Sequence, residues 1–170
     1  VPAASVINIA EEFAADFMPE FTPDRRQWAF LCDIDGTLAK MHGGDEARGP
    51  FDWDRVGEDL PNEPVIRVIR AVKLVYPVIF ASGRMEQCRD QTHQWIRANV
   101  CDHSYACFCR APMWLRANDD FRPDQAVKRE MYDLITERYR VMGVFDDRLK
   151  VIHMWRELGL TVFDVAGYEQ

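Results

Sequence analysis

Asp33 and Asp35 stand two residues apart at the end of the apolar run Phe30-Leu31-Cys32, and Gly36-Thr37 follows them. A buried strand that delivers two carboxylates into a glycine turn sets both at the carboxyl edge of a sheet, where open α/β folds bind ligands. Two carboxylates there can divide the work, one as nucleophile and one as general acid/base. Three further places offer what such a pair needs. Ala81-Ser82-Gly83-Arg84 closes a second apolar run and reads directly into a helix, so the Ser82 hydroxyl and the backbone N–H groups form a phosphate seat. Lys128 falls early in a helical stretch that opens at Asp124, where the helix dipole disfavours a cation. Asp124, four residues earlier on the same face, is its natural counter-charge. Asp146-Asp147 ends a third apolar run.

Each of these has a plainer reading. Ser82-Gly83 can be a simple helix cap, Asp147 can cap the helix that starts at Leu149, and Asp124–Lys128 can be a solvated surface pair. Against them stands convergence. Parallel strands present their carboxyl ends on one edge, which gathers Asp33, Asp35, Ser82, Asp146 and Asp147 although more than 100 positions separate the extremes. Four carboxylates at one edge repel too strongly to stay ionised without a cation. Oxygen donors with no clustered His or Cys select a hard ion, and Mg²⁺ is the usual one.

The elements that must position these groups alternate. Strands are expected at 28–32, 78–81, 104–109, 141–145 and 160–165, and helices at 63–75, 84–99, 124–139 and 149–158, the last closed by Gly159. Short buried strands with helical crossovers predict an α/β fold, a three-layer sandwich around a five-stranded parallel sheet. Residues 39–62 are polar and rich in Gly, Pro and Asp, and read as an insertion. Residues 1–27 form a lead segment, helical in pattern until Pro19 and Pro23, that could be a packed helix, a linker or a partner surface. The remainder, 28–170, reads as one domain.

Composition is that of an ordinary globular chain of 170 residues, 48% hydrophobic and 29% charged. No segment reaches the ~18 apolar residues of a membrane span, and no signal-peptide pattern opens the chain, so the expected location is cytoplasmic. The first residue is Val1, which suggests a processed chain or a piece of a longer one. A net charge of −7 argues against a long nucleic-acid groove but not against a single phosphate or strand end. Arginine supplies 17 of the 21 basic residues, which suits bidentate phosphate recognition. Cys88, Cys101, Cys107 and Cys109, with His93 and His103, lie close enough in sequence to draw as a zinc site. They contain no CxxC pair, and the alternation of Tyr105, Cys107 and Cys109 suits thiols packed in a strand, so free cysteines are the favoured reading.

The ordered set Asp33-x-Asp35-Gly36-Thr37, Ser82, Lys128 and Asp146-Asp147 resembles the four motifs of the haloacid dehalogenase superfamily of phosphotransferases, over roughly residues 28–165. A finer resemblance is to the phosphatase domain of phage polynucleotide kinase–3′-phosphatases. It rests on Asp33 to Met41, Arg48-Gly-Pro-Phe-Asp52, Ser82-Gly-Arg84, Arg122-x-Asp124-x-x-Val127-Lys128 and Phe145-Asp-Asp-Arg148. The chain departs from that family in a longer stretch at 42–47, in the absence of a GxxxxGK[ST] loop, and in a lead segment without family motifs.

The resemblance implies a Rossmann-like, HAD-like sheet with a minimal cap at 39–62 and Mg²⁺-dependent removal of 3′-terminal phosphate from DNA or RNA ends. In that reading Asp33 is the nucleophile that carries an aspartyl-phosphate, and Asp35 is the acid/base. Thr37, Arg48, Ser82, Gly83, Arg84 and Lys128 contact phosphate or substrate, and Asp124 orients the lysine. Asp33, Asp35, Asp146 and Asp147 hold the metal. The implied partners are 3′-phosphorylated nucleic-acid ends and an upstream kinase domain in the same polypeptide, with a homo-oligomer left open. Phe51 or Trp53 could stack on a base or fill a small satellite core. Two other functions compete: a phosphatase of a small nucleotide or sugar phosphate, and a non-catalytic binding domain of the same fold.

Overall fold

The computed structural model describes residues 26–40, 48–49, 51–102 and 107–166. The expected lead segment and residues 41–47 lie outside them, apart from Arg26 and Gln27. In chain order the elements are β1 Gln27–Cys32, β2 Ala39–Lys40, β3 Leu60–Pro61, α1 Glu63–Lys73, β4 Val78–Met85, α2 Arg89–Asn99, β5 Met113–Arg116, α3 Asp124–Thr136, β6 Tyr139–Asp146, α4 Leu149–Glu157 and β7 Val162–Asp164. The five longer strands make one sheet in the order β5-β4-β1-β6-β7, every pairing parallel. β2 and β3 pair antiparallel as a separate ribbon, next to a 3-10 turn at Trp53–Glu58, within the expected insertion.

The sheet is buried on both faces, which is why its strands read as unbroken apolar runs. Ala29, Leu31, Ile79, Ala81 and Val144 pack with Val127, Met131 and Ile135 of α3 and Val151 and Trp155 of α4. Their neighbours Cys32, Val78, Phe80 and Phe145 face the other way, onto Ile66 and Ile69 of α1 and Trp95 and Ile96 of α2. Two helices cover each face, giving the three layers the alternation predicts. Pro64 sits in the first turn of α1, where its missing N–H is not needed, and Gly159 ends α4 with φ of +78°.

The chain runs outward from β1 through β4 to β5, then returns to lay β6 on the opposite flank of β1. That reversal is the switch point at which such sheets bind ligands. Asp33 follows β1 and Asp146 ends β6, so the sequence places both at this crevice.

Two expectations are corrected. The third strand of the large sheet is Met113–Arg116, not 104–109: residues 107–110 form a loop and turn, and 104–106 lie outside the described residues. The alternation of cysteines imitates a strand, but it is Met113 that pairs with Phe80 and Leu115 with Ser82. β4 also runs on to Met85, and a 3-10 turn at Glu86–Cys88 precedes α2. Among the described residues no helix is long and apolar enough to cross a membrane.

Leu31 is fully buried at the centre of the middle strand. Leu31→Ala is expected to lower unfolding free energy by about 2–5 kcal/mol in a urea titration, with an unchanged m-value. A loss under about 1 kcal/mol would mean that the centre of the sheet is not tightly packed.

Candidate active site

The turn after β1 is built by its own backbone. Asp33 N–H still donates to the Phe145 carbonyl at 2.9 Å, extending the β1–β6 ladder, while Gly36 N–H donates to Ala39 O at 2.7 Å. Gly36 has φ of +82°, and any Cβ there would strike the Asp147 carboxylate. Glycine is therefore required twice over, by conformation and by space. The turn holds Thr37 so that its hydroxyl donates to Asp147 Oδ1 at 3.1 Å, and Asn62 Nδ2 ties down the Thr37 carbonyl at 2.8 Å.

Under the crevice lies Lys128, fully buried. Its Nζ is 2.9 Å from Asp146 Oδ2, 3.1 Å from Asp33 Oδ1 and 3.7 Å from Asp124 Oδ2. Burial favours the neutral amine, but the three carboxylates outweigh it and hold the lysine above its ordinary pKa. The surface-pair reading of Asp124–Lys128 is thereby replaced by a buried network. Asp146 Oδ2 also accepts from the Trp155 indole at 3.1 Å, and Asp146 Oδ1 from Arg148 N–H at 3.1 Å. Asp124 accepts from Arg116 at 3.0 Å and Arg148 at 3.2 Å, and its carboxylate fills the space that a side chain at Gly83 would need.

Oxygens of Asp33, Asp146 and Asp147 gather within 4.8 Å of one another. Burial pushes the Asp33 carboxyl well above the usual carboxylate range, against the pull of Lys128, and burial with Asp146 raises Asp147 likewise. Asp33 Oδ1 is buried with no aligned hydrogen-bond donor among the described residues. That oxygen, paired in charge with Lys128 but without an aligned donor, stands among crowded carboxylates, a set that fits a small hard cation such as Mg²⁺. Asp147 is not the cap of α4, because Arg148 occupies that position.

The Asp35 carboxylate is not part of that group and belongs to a second network. Arg84 donates to it from Nε at 3.0 Å and Nη2 at 2.7 Å, and Arg48 Nη2 at 2.9 Å. Both arginines share buried Asp59: Arg48 by a two-bond fork at 2.7 Å each, Arg84 by one bond at 2.7 Å. Thr92 accepts from Arg84 Nη1 at 3.2 Å.

Ser82 is fully buried, and its Oγ accepts from Arg84 N–H at 3.3 Å. The pairing of β4 with β5 shifts register between Ser82 and Met85, so Ser82-Gly83-Arg84 is an irregular strand segment. The expected seat at a helix start is corrected accordingly, since α2 begins only at Arg89. Asp59, Thr92 and Trp155 escaped the sequence reading as members of this site. Each follows no motif spacing, and only the folded chain shows its partner.

Above these networks opens a cleft of about 290 Å³. Asp33 and Asp35 reach its floor, Arg48, Arg116, Arg122 and Arg148 its walls, and Phe51, Trp53 and Phe121 its mouth. Phe51 is 73% exposed and so fills no satellite core, whereas Trp53 is half-buried with its ring edge-on to Phe51 at 6.2 Å; Phe121, which the sequence reading did not single out, is 76% exposed.

Comparison with known proteins places this geometry. The family model described as the polynucleotide kinase PNKP phosphatase domain matches residues 27–169. A protein of Autographa californica nuclear polyhedrosis virus, named as a bifunctional polynucleotide kinase/RNA ligase, is 33% identical over 148 residues, covering 84% of this chain and 20% of its own length. A chain in the solved Pnkp1/Rnl/Hen1 RNA repair complex is 32% identical with a TM-score of 0.72, over 87% of this chain and 45% of that one. The class C acid phosphatase of Bacillus anthracis with tungstate bound shares the fold, with 12% identity and a TM-score of 0.53 over 94% of this chain and 73% of that one. The chain thus spans a fifth of the viral relative and under half of the chain in the repair complex.

Two outcomes follow from the networks. A carboxyl raised in the fold stabilises it only while protonated. That contribution is complete below the ordinary value of 3.8 and is lost as pH rises through the folded one. Metal-free wild type should therefore lose stability relative to Asp33→Asn as pH rises, and Mg²⁺ should remove most of the loss. A difference that stays flat with pH in thermal melts would show that Asp33 ionises freely. Asp59→Ala leaves two buried guanidinium groups with only Asp35 between them, and should cost about 3–5 kcal/mol. A loss below about 1 kcal/mol in denaturant titrations would mean that water replaces the carboxylate.

Proposed function

The chain belongs to the polynucleotide kinase PNKP phosphatase-domain family, and from that premise we propose that it removes 3′-terminal phosphate from DNA or RNA ends through an aspartyl-phosphate. The observation that carries the substrate class is the cleft. It is floored by two carboxylates, walled by arginines and flanked at its mouth by exposed Phe51 and Phe121. Large aromatic rings in water beside a phosphate-sized site suit the bases of a strand end, and base–aromatic stacking is tolerant of sequence. The insertion at 39–62 is too short for a full capping domain, which suits the end of a polymer.

Asp33 attacks the terminal phosphorus in line, forming the Asp33–phosphorus bond as the bond to the 3′-oxygen breaks. Asp35, as the general acid, gives a proton to that oxygen, releasing a 3′-hydroxyl. A water then attacks the phosphoryl group and Asp35 takes its proton, which frees phosphate and restores the Asp33 carboxylate. Arg48 and Arg84 keep the Asp35 carboxyl aimed during both steps, anchored in turn by Asp59 and Thr92. Lys128 neutralises charge on the transferring group, aided by Ser82, Gly83 and Thr37 at the turns that border it. Asp124, with Arg116 and Arg148 on its oxygens, orients the lysine. Mg²⁺ held by Asp33, Asp146 and Asp147 would supply further electrostatic stabilisation of the phosphoryl group when bound. The named activities of the relatives support a place beside a kinase module in a longer end-repair polypeptide.

Turnover of a 3′-phosphorylated oligonucleotide is expected to exceed that of 5′-mononucleotides and sugar phosphates, to stop with EDTA and to return with Mg²⁺. Asp33→Asn should lower kcat at least ~10³-fold. Phe121→Ala should raise KM for the oligonucleotide about 10-fold while sparing a generic aryl phosphate. A preference for mononucleotides would move the assignment to a small-molecule phosphatase. Activity unchanged in Asp33→Asn would show that it does not arise through Asp33, and no phosphate release from any of these substrates by the wild type would leave only a binding domain.

A further inference from the structure

The loop between α2 and β5 carries a second cluster that the phosphatase chemistry does not use. Cys101, Cys107 and Cys109 are free thiols, the first buried and the other two exposed. Their sulfurs lie within 4.8 Å of one another, with Cys101 Sγ and Cys109 Sγ 3.6 Å apart. Thiolates at ~2.3 Å around a tetrahedral ion stand about 3.8 Å from each other, so this spacing needs little adjustment.

The surroundings favour charge on the Cys107 sulfur through backbone donation, while burial opposes it on Cys101. Phe108 N–H donates to Cys101 Sγ at 3.2 Å and Cys109 N–H to Cys107 Sγ at 3.4 Å. Backbone donors aimed at sulfur orient the lone pairs and favour the thiolate. Lys73 Nζ stands 6.0 Å over the Phe108 ring, which puts a cation beside a site that would carry net charge of −1 with three thiolates and a divalent ion. The described residues on either side of 103–106 are held in place. Phe108 is fully buried against Phe80, with ring centroids 5.9 Å apart, and Arg70 holds the carbonyls of Asn99 at 3.1 Å and Val100 at 2.9 Å. The sequence reading of strand-packed thiols fails here because residues 107–109 are loop, which frees two of the sulfurs to face solvent.

We propose that Cys101, Cys107 and Cys109 bind one thiophilic divalent cation, Zn²⁺, through three thiolates and one exchangeable position. Binding joins the loop to the end of α2. Each thiol loses its proton to solvent as its sulfur bonds the ion, with no change of oxidation state. Soft sulfur separates this site from the all-oxygen group at Asp33, Asp146 and Asp147, which suits a hard ion.

The test titrates the reduced, metal-free chain with Co²⁺ as a spectroscopic stand-in for Zn²⁺. The expected result is a near-ultraviolet sulfur-to-cobalt absorption that saturates at one equivalent and is displaced by Zn²⁺. Oxygen ligands give no such band, so the aspartates cannot imitate it. Cys107→Ser and Cys109→Ser alter exposed positions, and should abolish the band and weaken Zn²⁺ binding at least 10-fold while keeping phosphatase activity as proof of folding. Zn²⁺ should also protect both thiols from alkylation in wild type. Three results would each overturn the proposal: only weak oxygen-type bands, a sulfur band that survives both variants, or a Cys101–Cys109 disulfide that forms in reducing buffer with Zn²⁺ present.

Discussion

A single ammonium buried among aspartates sets the terms for the rest of this structure. Lys128 Nζ lies within 3.7 Å of oxygens from Asp33, Asp146 and Asp124, which come from the ends of two strands and the start of a helix. Taking those charges out of water costs several kcal/mol per ion unless the geometry is good and the remaining lone pairs are satisfied. The fold meets that condition by surrounding the network with fixed donors: the Trp155 indole and Arg148 amide on Asp146, and Arg116 and Arg148 on Asp124. The exception is Asp33 Oδ1, which is left without an aligned donor. That buried oxygen keeps only the charge of Lys128, 3.1 Å away, whereas the carboxylates of Asp146 and Asp124 have aligned donors as well. An oxygen poorly solvated by its own protein is a better nucleophile and a better cation ligand than one already satisfied.

Which parts of this were legible in the sequence follows from what kind of information each part needs. The strands β1, β4 and β6 are long apolar runs because both of their faces are covered, and such runs announce themselves. Asp33 and Asp146 stand at the ends of β1 and β6 and Ser82 where the regular pairing of β4 breaks, so the edge that gathers these residues could be read before the sheet order was known. β5 is only four residues long, Met113–Arg116, and its alternation is weaker than that of the cysteine segment just before it. There the local pattern and the tertiary pairing disagree, and the pairing with β4 wins. Asp59 stayed invisible for another reason. Its role depends on two arginines 11 and 25 residues away that reach it only after the cap folds over the sheet. One sequence holds no record of such pairings, whereas Lys128 betrayed itself by standing where a helix dipole disfavours a cation.

The two networks are also distinct in what they join, and this bears on how the cap works. Lys128, Asp33, Asp146 and Asp124 knit the sheet to α3, within the scaffold. Arg48 and Asp59 belong to the insertion, whereas Asp35 belongs to the turn after β1 and Arg84 to β4. The forked bonds of Arg48 to Asp59 and the bonds of Arg84 to both aspartates make one charged unit across that boundary. Placement of the cap and aim of the Asp35 carboxyl therefore cannot vary independently. A shift of the cap that pulled Asp59 from Arg84 would also release the guanidinium that aligns Asp35. The same insertion brings Phe51 to the mouth of the cleft, so a strand end seated against that ring bears on the group proposed to protonate it. Such coupling ties the described part of the insertion, through Arg48 and Asp59, to the Asp35 carboxylate. In the proposed mechanism the work of this unit is to hold an acid in line with a leaving oxygen, and two buried arginines suit that work because their donors lie in fixed planar forks.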